Sequence, residues 1–222
     1  MVELADTPDL SSDAVTGVPV RVRLGAPLNT ERTLAKKLIE HASGIYSVPN
    51  FMSKEECEAL VAYTELAGFE KAEVRTGAIE DNTASFRPEI RNNERLVIED
   101  LDFTTNLWID VAGYHLPHYG SSFAVGLPTK LRFYKYSPGQ RFKMHRDGAW
   151  IEGNLISRLT LLIYLNDDFE GGETDFRIFK IKPATGTLVL FEHDKWHEGA
   201  PVISGEKYVL RSDVLYSQEL NS

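Results

Sequence analysis

Three side chains in this 222-residue chain have the types and order of a metal-ligand set. His145 and Asp147 lie two residues apart in the segment KMHRDGAW, and His197 follows fifty residues after Asp147 in WHEGAP. Two imidazoles and one carboxylate form the facial triad that binds non-haem Fe(II) and leaves coordination positions open for a co-substrate and O₂. The pattern predicts oxygen-activating chemistry if the three side chains meet at one ion.

The spacing of the first two residues matches an extended strand, in which side chains at i and i+2 point to the same face. His145 and Asp147 would then reach one ion from the end of one strand, and the third ligand would come from a different strand. An H-x-D pair alone is common on protein surfaces. The prediction therefore depends on the rest of the chain.

The composition is that of an ordinary globular protein, with 42% hydrophobic and 26% charged residues. A formal charge of −9 argues against a nucleic-acid partner, because phosphate binding needs clustered lysine and arginine. We find no apolar run that could cross a bilayer and no signal peptide, which predicts no membrane partner and a cytoplasmic location. The single cysteine, Cys57, excludes an intramolecular disulfide and is interpreted as a core residue. The oligomeric state is left open.

The chain divides into a leader and one domain. Residues 1–28 mix Asp, Ser, Pro and Gly without periodicity and are predicted to be flexible. Residues 29–222 are predicted to form a single domain. Within it, residues 44–129 would supply helical support and a substrate-loop region, and residues 130–217 a β core.

Two helices are predicted in the first half of the domain. A short strand and turn at 44–51 precede Ser53, which opens a capping box and a helix to about residue 67. Apolar residues at helical spacing predict a second helix over 101–114. The polar stretch 68–99 between them is interpreted as a long functional or mobile loop, with a solvated hairpin as the alternative and a strand at 95–98 as an option.

From residue 130 onward the hydrophobic pattern changes to period two. Short apolar segments alternate with turns, namely LRFYKY, RFKMH, RLTLLIYL, TDFRIFKI, TLVLFE and KYVLRSDVLY. This pattern predicts an antiparallel sandwich or jelly roll. The predicted fold class is therefore mainly β with flanking helices (α+β), with both helices packed on the outside of one sheet.

Three long segments resemble the catalytic domain of 2-oxoglutarate and Fe(II)-dependent oxygenases of the prolyl 4-hydroxylase type: YSPGQRFKMHRD, LTLLIYLNDDFEGGETDF and PATGTLVLFEHDKWHEGAPVISGEKYVLRSDVLY. The resemblance covers about 130–217 and, more loosely, 44–67. It implies a double-stranded β-helix (cupin-like jelly roll) with three iron ligands, His145, Asp147 and His197. His193 is a rival to His197, but the family places its ligand directly before Glu-Gly. The carboxylate of Asp147 argues against an iron-dependent halogenase.

The resemblance also implies a 2-oxoglutarate site. Lys207 lies ten residues after His197, where the family has the lysine for the 5-carboxylate. Arg211 shares its strand face and is expected near the 1-carboxylate, near the substrate, or in an internal pair with an acidic residue. Other branches use an arginine further along this strand, so the two roles stay open to exchange. Three hydroxyl residues resemble positions that face the co-substrate, or simply pack in the core, namely Tyr136, Thr174 and Tyr164.

The implied cofactors are Fe(II), 2-oxoglutarate and O₂, with ascorbate as a candidate reductant. The implied reaction hydroxylates an unactivated C–H bond of a small molecule or amino acid and converts 2-oxoglutarate to succinate and CO₂. The alternative substrate is a prolyl residue in a peptide or protein. Four residues are candidates for substrate binding, with solvated loop charges as the alternative for the arginines: Trp150, Arg91, Asn93 and Arg95.

Two other classes of protein stay open. One is a catalytically silent jelly roll that uses the pocket only for binding. The other is a zinc-containing cupin-like hydrolase or isomerase, because imidazole and carboxylate also bind zinc. The zinc enzyme leaves the inward lysine and its tyrosine and threonine partners unexplained, and the presence of all three ligands together with Lys207 argues against the silent binding domain.

Overall fold

The computed structural model describes residues 37–72, 74–76, 83–85 and 87–217. The leader predicted over 1–28 lies outside the described residues. The described part contains two α-helices, α1 (Lys54–Ala67) and α2 (Leu101–Ala112). Neither of these two helices is both long enough and apolar enough to cross a membrane.

Most of the regular secondary structure in the described residues is β-strand. Those before residue 130 are β1 (Ile39–Ala42), β2 (Ile45–Val48), β3 (Glu70–Lys71), β4 (Val74–Thr76), β5 (Thr83–Ser85), β6 (Glu94–Glu99) and β7 (Ala124–Gly126). Those after it are β8 (Lys130–Tyr136), β9 (Phe142–His145), β10 (Ile151–Glu152), β11 (Leu155–Tyr164), β12 (Glu170–Gly171), β13 (Thr174–Asp175), β14 (Lys180–Ile181), β15 (Leu188–Glu192), β16 (His197–Gly199), β17 (Val202–Ser204) and β18 (Lys207–Ser217). Five of the six segments with period two form one strand each, whereas TDFRIFKI forms the two short strands β13 and β14.

The strands form one large antiparallel sheet and one smaller sheet that carries part of the site. The large sheet has the order β1-β2-β15-β11-β18-β8-β6-β3, with β10 paired to β11 and β7 paired to β18. The smaller sheet has the order β14-β13-β16-β9, and two further pairs are β12–β17 and β4–β5. The predicted mainly β, double-stranded β-helix architecture is confirmed.

The large sheet is buried on both faces. On β11, Leu159, Leu161 and Ile163 belong to the apolar cluster that also contains residues of both helices. The intervening Thr160 and Leu162 line a cavity on the opposite face. Since successive side chains of a strand alternate between faces, the same period-two sequence builds an apolar layer against the helices and a mixed layer around the cavity.

Helix α1 begins at the predicted capping box. The Glu56 N–H donates to Ser53 Oγ at 3.2 Å, and the Ser53 N–H donates to Glu56 Oε2 at 2.8 Å. Cys57 lies one turn later in the apolar cluster, and burial raises the pKa of its thiol to about 11. The cysteine is therefore a packing residue. Helix α2 begins after an Asp100 cap and ends at Ala112, two residues before the predicted end.

The long loop predicted for the part of 68–99 before the strand option is interrupted by β3 and by the antiparallel pair β4–β5, which agrees with the hairpin alternative. Strand β6 pairs with β8 along its whole length, from Glu94 opposite Lys135 to Glu99 opposite Lys130. Leu96 and Ile98 on it pack against the apolar cluster. The strand formed because an alternating segment lies beside an open sheet edge, where backbone pairing satisfies its N–H and C=O groups. The strand option at 95–98 was correct and extends by one residue at each end.

Candidate metal and co-substrate site

The two histidines of the predicted triad are neighbours across a strand pair. Strand β9 ends at His145, β16 begins at His197, and these two residues are direct partners in the antiparallel register. Asp147 lies two residues past the end of β9, so the expectation that it shares a strand with His145 was wrong. Its position is fixed instead by its backbone N–H, which donates to the His193 carbonyl at 3.1 Å.

The three side chains converge on one point. The Nε2 atom of His145 lies 3.6 Å from Asp147 Oδ1, and the Nε2 atom of His197 lies 3.6 Å from Asp147 Oδ2. All three residues are buried, and their donor atoms lie within 4.8 Å of one another. Two donors bound to one ion at right angles, each about 2.1 Å from it, are about 3 Å apart. The observed separations therefore fit a single transition-metal ion after small side-chain movements.

Both imidazoles present Nε2 to this point. The Nδ1 atom of His145 lies 2.7 Å from the Lys143 carbonyl oxygen, and that of His197 lies 3.0 Å from the Lys195 carbonyl oxygen. A carbonyl only accepts, so each Nδ1 carries the proton and each Nε2 keeps a lone pair for a metal. Burial and the neighbouring His145 lower the pKa of His197 to about 3, which keeps this ring neutral at physiological pH.

Aromatic rings hold the planes of the imidazoles. The Phe142 ring stacks on His145 with centroids 3.6 Å apart and an interplanar angle of 22°. The Phe191 ring lies 4.5 Å from His197. Sequence reasoning missed both contacts. Phe142 lies at i−3 on the ligand strand, and Phe191 lies on another strand of the other sheet.

Asp147 is ionised, and its carboxylate is held by one cationic group, Arg211, and one neutral donor, Thr160. Burial alone would raise the pKa of its carboxyl, but Arg211 and the adjacent imidazoles outweigh burial and hold that pKa well below its usual range. The Arg211 Nη2 atom lies 3.1 Å from Oδ1, and the Thr160 hydroxyl donates to Oδ2 at 2.5 Å. A buried, ionised carboxylate is suited to bind a divalent cation.

Arg211 is part of a buried chain of alternating charges. Its Nη2 atom lies 3.6 Å from Asp213 Oδ1, and Asp213 in turn accepts a hydrogen bond from Arg132. Three positions were predicted for Arg211, and the structure shows the one in which it pairs with acidic residues, here Asp147 and Asp213. Because opposite charges alternate from Arg132 to Asp147, each buried charge has a partner of the other sign.

A cavity of about 440 Å³, including its open mouth, lies between the large sheet and the smaller sheet. The three triad residues line it, together with Lys207, Arg211, Tyr136 and Thr174. The Tyr164 hydroxyl lies behind this wall, fully buried, and shares a hydrogen bond of 2.6 Å with Thr174 Oγ1. The structure thus brings together four of the five residues predicted for the co-substrate, with Tyr164 one layer behind.

Lys207 is a buried cation, with only 3% of its surface exposed. Its Nζ donates to the Gly172 carbonyl at 2.6 Å and lies 5.3 Å and 5.5 Å from the ring centroids of Tyr136 and Tyr164. Burial lowers the pKa of its ammonium to about 7. Gly172 has φ +67°, and a Cβ there would lie 3.1 Å from the lysine stem, so this turn needs glycine.

The residues predicted for substrate binding in the 68–99 region do not line the cavity. Arg91 is only 1% exposed, so it is not a solvated loop charge. Its guanidinium lies over the rings of Tyr134 and Phe142, 4.2 Å and 4.6 Å from their centroids, and both rings line the cavity. Arg91 therefore packs behind the cavity wall.

The remaining substrate candidates also lie away from the cavity. Asn93 is buried and accepts a hydrogen bond of 2.6 Å from the Nε of Arg91. Arg95 is half-buried on β6, opposite Tyr134 of β8. Trp150 is half-buried, and its backbone N–H donates to Ser157 Oγ at 2.7 Å. Their role in binding a substrate stays a prediction.

Comparison with known proteins agrees with this architecture. Residues 131–212 match the family model of the 2OG-Fe(II) oxygenase superfamily. A PKHD-type hydroxylase of Sphingopyxis alaskensis is 30% identical over 84 residues, which are 34% of this chain and 38% of that protein. Prolyl 4-hydroxylase 1 of Arabidopsis thaliana is 25% identical over 202 residues, which are 78% of this chain and 69% of that protein.

A solved structure with the same fold is the prolyl hydroxylase of Trichoplax adhaerens in complex with a hypoxia inducible factor oxygen degradation domain peptide fragment. It has a TM-score of 0.60 and 18% identity, and the match covers 77% of this chain and 83% of that one. Over residues 131–212 the chain is thus similar to the 2OG-Fe(II) oxygenases, and the proteins that it resembles include hydroxylases of the prolyl 4-hydroxylase and PKHD types. It spans about two fifths of the length of the first curated relatives that it matches, 38% and 41%.

Proposed function

We propose that the protein is an Fe(II)- and 2-oxoglutarate-dependent dioxygenase that hydroxylates an unactivated C–H bond. The observation that carries the proposal is the convergence of His145, Asp147 and His197 in the same buried cavity as Lys207. Bound Fe(II) would supply the activation of O₂, coupled to decarboxylation of 2-oxoglutarate to succinate and CO₂.

The donor set fits Fe(II). Two imidazoles with anchored Nδ1 atoms and one ionised carboxylate would supply three donors to one ion, and all three residues line the cavity. Lys207 would bind the 5-carboxylate of 2-oxoglutarate, because a charge-assisted hydrogen bond in a buried site is strong. The hydroxyl groups of Tyr136 and Thr174 would orient the same co-substrate.

The chemistry of Lys207 also separates this function from a zinc hydrolase or isomerase. Hydrolysis at zinc needs a bound water and a general base. That reaction does not require a buried lysine beside the metal cavity. A dicarboxylate co-substrate gives the lysine a partner. The buried ammonium therefore favours the dioxygenase over the zinc enzyme and over a silent binding domain.

The substrate is proposed to be a small molecule or an amino acid, and a prolyl residue in a peptide is the second candidate. The second candidate is supported by the relatives, since one is named a prolyl 4-hydroxylase and one structural neighbour was solved with a peptide. The binding partner of the protein is proposed to be this same substrate, a small molecule, an amino acid or a short peptide. Ascorbate is proposed only as a reductant that maintains Fe(II).

The test is a screen for substrate-dependent succinate formation with Fe(II), 2-oxoglutarate and O₂, with and without ascorbate. Free amino acids and small metabolites form one panel and proline-containing peptides the other, and mass spectrometry identifies products that gain one oxygen atom. His145→Ala should abolish turnover, whereas His115→Ala, at an exposed histidine outside the cavity, should retain it. Normal turnover in His145→Ala would refute the metal site, and zinc-dependent turnover without succinate would support a zinc enzyme instead.

A further inference from the structure

Behind the Asp147 carboxylate lies a continuous chain of hydrogen bonds. Thr160 Oγ1 lies 2.5 Å from Asp147 Oδ2 and 3.1 Å from the Nδ1 of His193. The Nε2 of His193 lies 2.9 Å from Ser157 Oγ, and Ser157 Oγ accepts the backbone N–H of Trp150 at 2.7 Å. Thr160, His193 and Ser157 are all buried.

The direction of each hydrogen bond in this chain follows from its ends. An ionised carboxylate only accepts, so the single hydroxyl proton of Thr160 points to Asp147. Thr160 Oγ1 must then accept from His193, which places a proton on Nδ1 of the imidazole. At the other end a backbone N–H only donates, so Ser157 accepts from Trp150 and its own hydroxyl proton is free for Nε2 of His193.

The resulting tautomer of His193 is neutral with the proton on Nδ1. Burial lowers the pKa of His193, in agreement with a neutral ring. The Thr160 hydroxyl would still point to Asp147 if the ring were charged, because Nδ1 would donate in that form too. The direction of the donor to Asp147 therefore does not depend on the protonation of the histidine.

A bulge in β11 makes the arrangement possible. Ser157 pairs with Leu215 of β18, but Leu159 pairs with Val214, so Arg158 is an extra residue in the ladder. In a regular strand, residues three apart point to opposite faces. The bulge brings Ser157 and Thr160 to the same side, where both reach His193.

This chain of hydrogen bonds acts as a clamp on the segment from Asp147 to Trp150, because it holds both ends of that segment. At its start, Asp147 is held by the Thr160 hydroxyl on its side chain and by the His193 carbonyl on its backbone N–H. Three residues later, the backbone of Trp150 is held by Ser157. Because Asp147 lies beyond the end of β9, this clamp replaces the strand that would otherwise fix it.

We propose that Thr160 and His193 are positioning residues that hold Asp147 in its metal-binding orientation before the metal arrives, with Ser157 fixing the imidazole of His193. The inference rests on the proposed metal site. Without the clamp, Asp147 must be ordered when the metal binds, so metal affinity falls. Contacts in this outer layer are worth about 10-fold to 100-fold in metal affinity.

The test measures Co(II) affinity by competition with a chromophoric chelator, and it records the visible absorption of the bound Co(II). Thr160→Val keeps the side-chain volume and removes the donor, and it should weaken Co(II) binding by about 10-fold to 100-fold and change the spectrum. Thr160→Ser restores the hydroxyl and should bind within about 3-fold of the wild type. Thr64→Val is the matched control, because Thr64 is buried in α1 and its hydroxyl donates to its own helix at Val61.

A second variant covers the case in which Thr160→Val fails to fold. Ser157→Ala leaves Thr160 in place and should weaken Co(II) binding by a smaller factor, about 2-fold to 10-fold. The positioning role is refuted if a folded Thr160→Val variant binds Co(II) as tightly as Thr64→Val does. If Thr160→Val does not fold, the role is refuted by a Ser157→Ala variant that binds Co(II) as tightly as the wild type. His145→Ala separates the two proposals: wild-type Co(II) affinity in that variant would refute the metal site itself.

Discussion

The buried Lys207 makes binding of 2-oxoglutarate depend on pH in a way that can be calculated. With a pKa of about 7, half of the protein without bound 2-oxoglutarate would carry a neutral amine at neutral pH. Only the ammonium form can pair with the 5-carboxylate, so the apparent dissociation constant scales with 1 + 10^(pH − pKa). Binding weakens as the pH rises through 7, by about 10-fold between about pH 6 and pH 8 and by about 10-fold more at pH 9.

The assay is anaerobic calorimetric titration of the Co(II)-loaded protein with 2-oxoglutarate across this pH range. The matched ligand is 2-oxopentanoate, which has the same 2-oxo acid group and chain length but lacks the 5-carboxylate. Any pH dependence that comes from the metal ligands affects both compounds and cancels in the ratio of their affinities. The affinity for 2-oxoglutarate divided by that for 2-oxopentanoate should fall by about 5-fold between about pH 7 and pH 8 and by about 10-fold more at about pH 9 in the wild type.

Lys207→Met is the variant that isolates the lysine. Methionine replaces the stem with an unbranched apolar chain, so the ratio of the two affinities should be small and independent of pH. Two results would refute the reasoning. One is a wild-type ratio that stays constant from pH 6 to 9, and the other is a Lys207→Met variant that keeps the preference for 2-oxoglutarate.

Three further predictions concern stability. The pKa of Lys207 falls from 10.5 in the unfolded chain to about 7 in the folded protein, so the destabilisation caused by burying its charge is full below about pH 7 and disappears above 10.5. Lys207→Met should therefore be more stable than the wild type at about pH 7. The difference between their denaturation midpoints should decrease as the pH rises. Arg211→Leu leaves Asp147 and Asp213 without a shared cation and should lower the free energy of unfolding by about 3–5 kcal/mol in urea titrations at pH 7, against a negligible change for an exposed arginine. Ser53→Ala removes the cap of α1 and should cost about 1 kcal/mol while leaving succinate formation unchanged.

Much of the strand pattern could be predicted from the sequence, because alternation of apolar residues is a local signal. The apolar run around Thr160 predicted β11, and the KYVLRSDVLY segment predicted β18 with Lys207 and Arg211 on one face. The capping box at Ser53 likewise predicted the start of α1 to within a residue. Each of these features depends on residues that are close along the chain.

The features that the sequence did not reveal depend on contacts between distant segments. In the stretch 68–99 only a strand at 95–98 was offered as an option, since the alternation in β6 is short and its partner β8 lies more than thirty residues away. The joint contact of Thr160 and Ser157 with His193 requires the bulge at Arg158, and that bulge is defined by pairing with the distant strand β18. A threonine at an inward position of an apolar strand was the available signal for that contact.

The arrangement of the site also explains why two sheets are needed to form it. The smaller sheet supplies His145 and His197 from β9 and β16, whereas the large sheet supplies Thr160 and Arg211 from β11 and β18. Asp147 belongs to neither sheet and is held by side chains of the large one. An ion bound by all three triad residues would therefore cross-link the two sheets through Asp147. Metal affinity and the packing of the two sheets against each other are consequently coupled, because any movement between the sheets separates the imidazoles from the carboxylate.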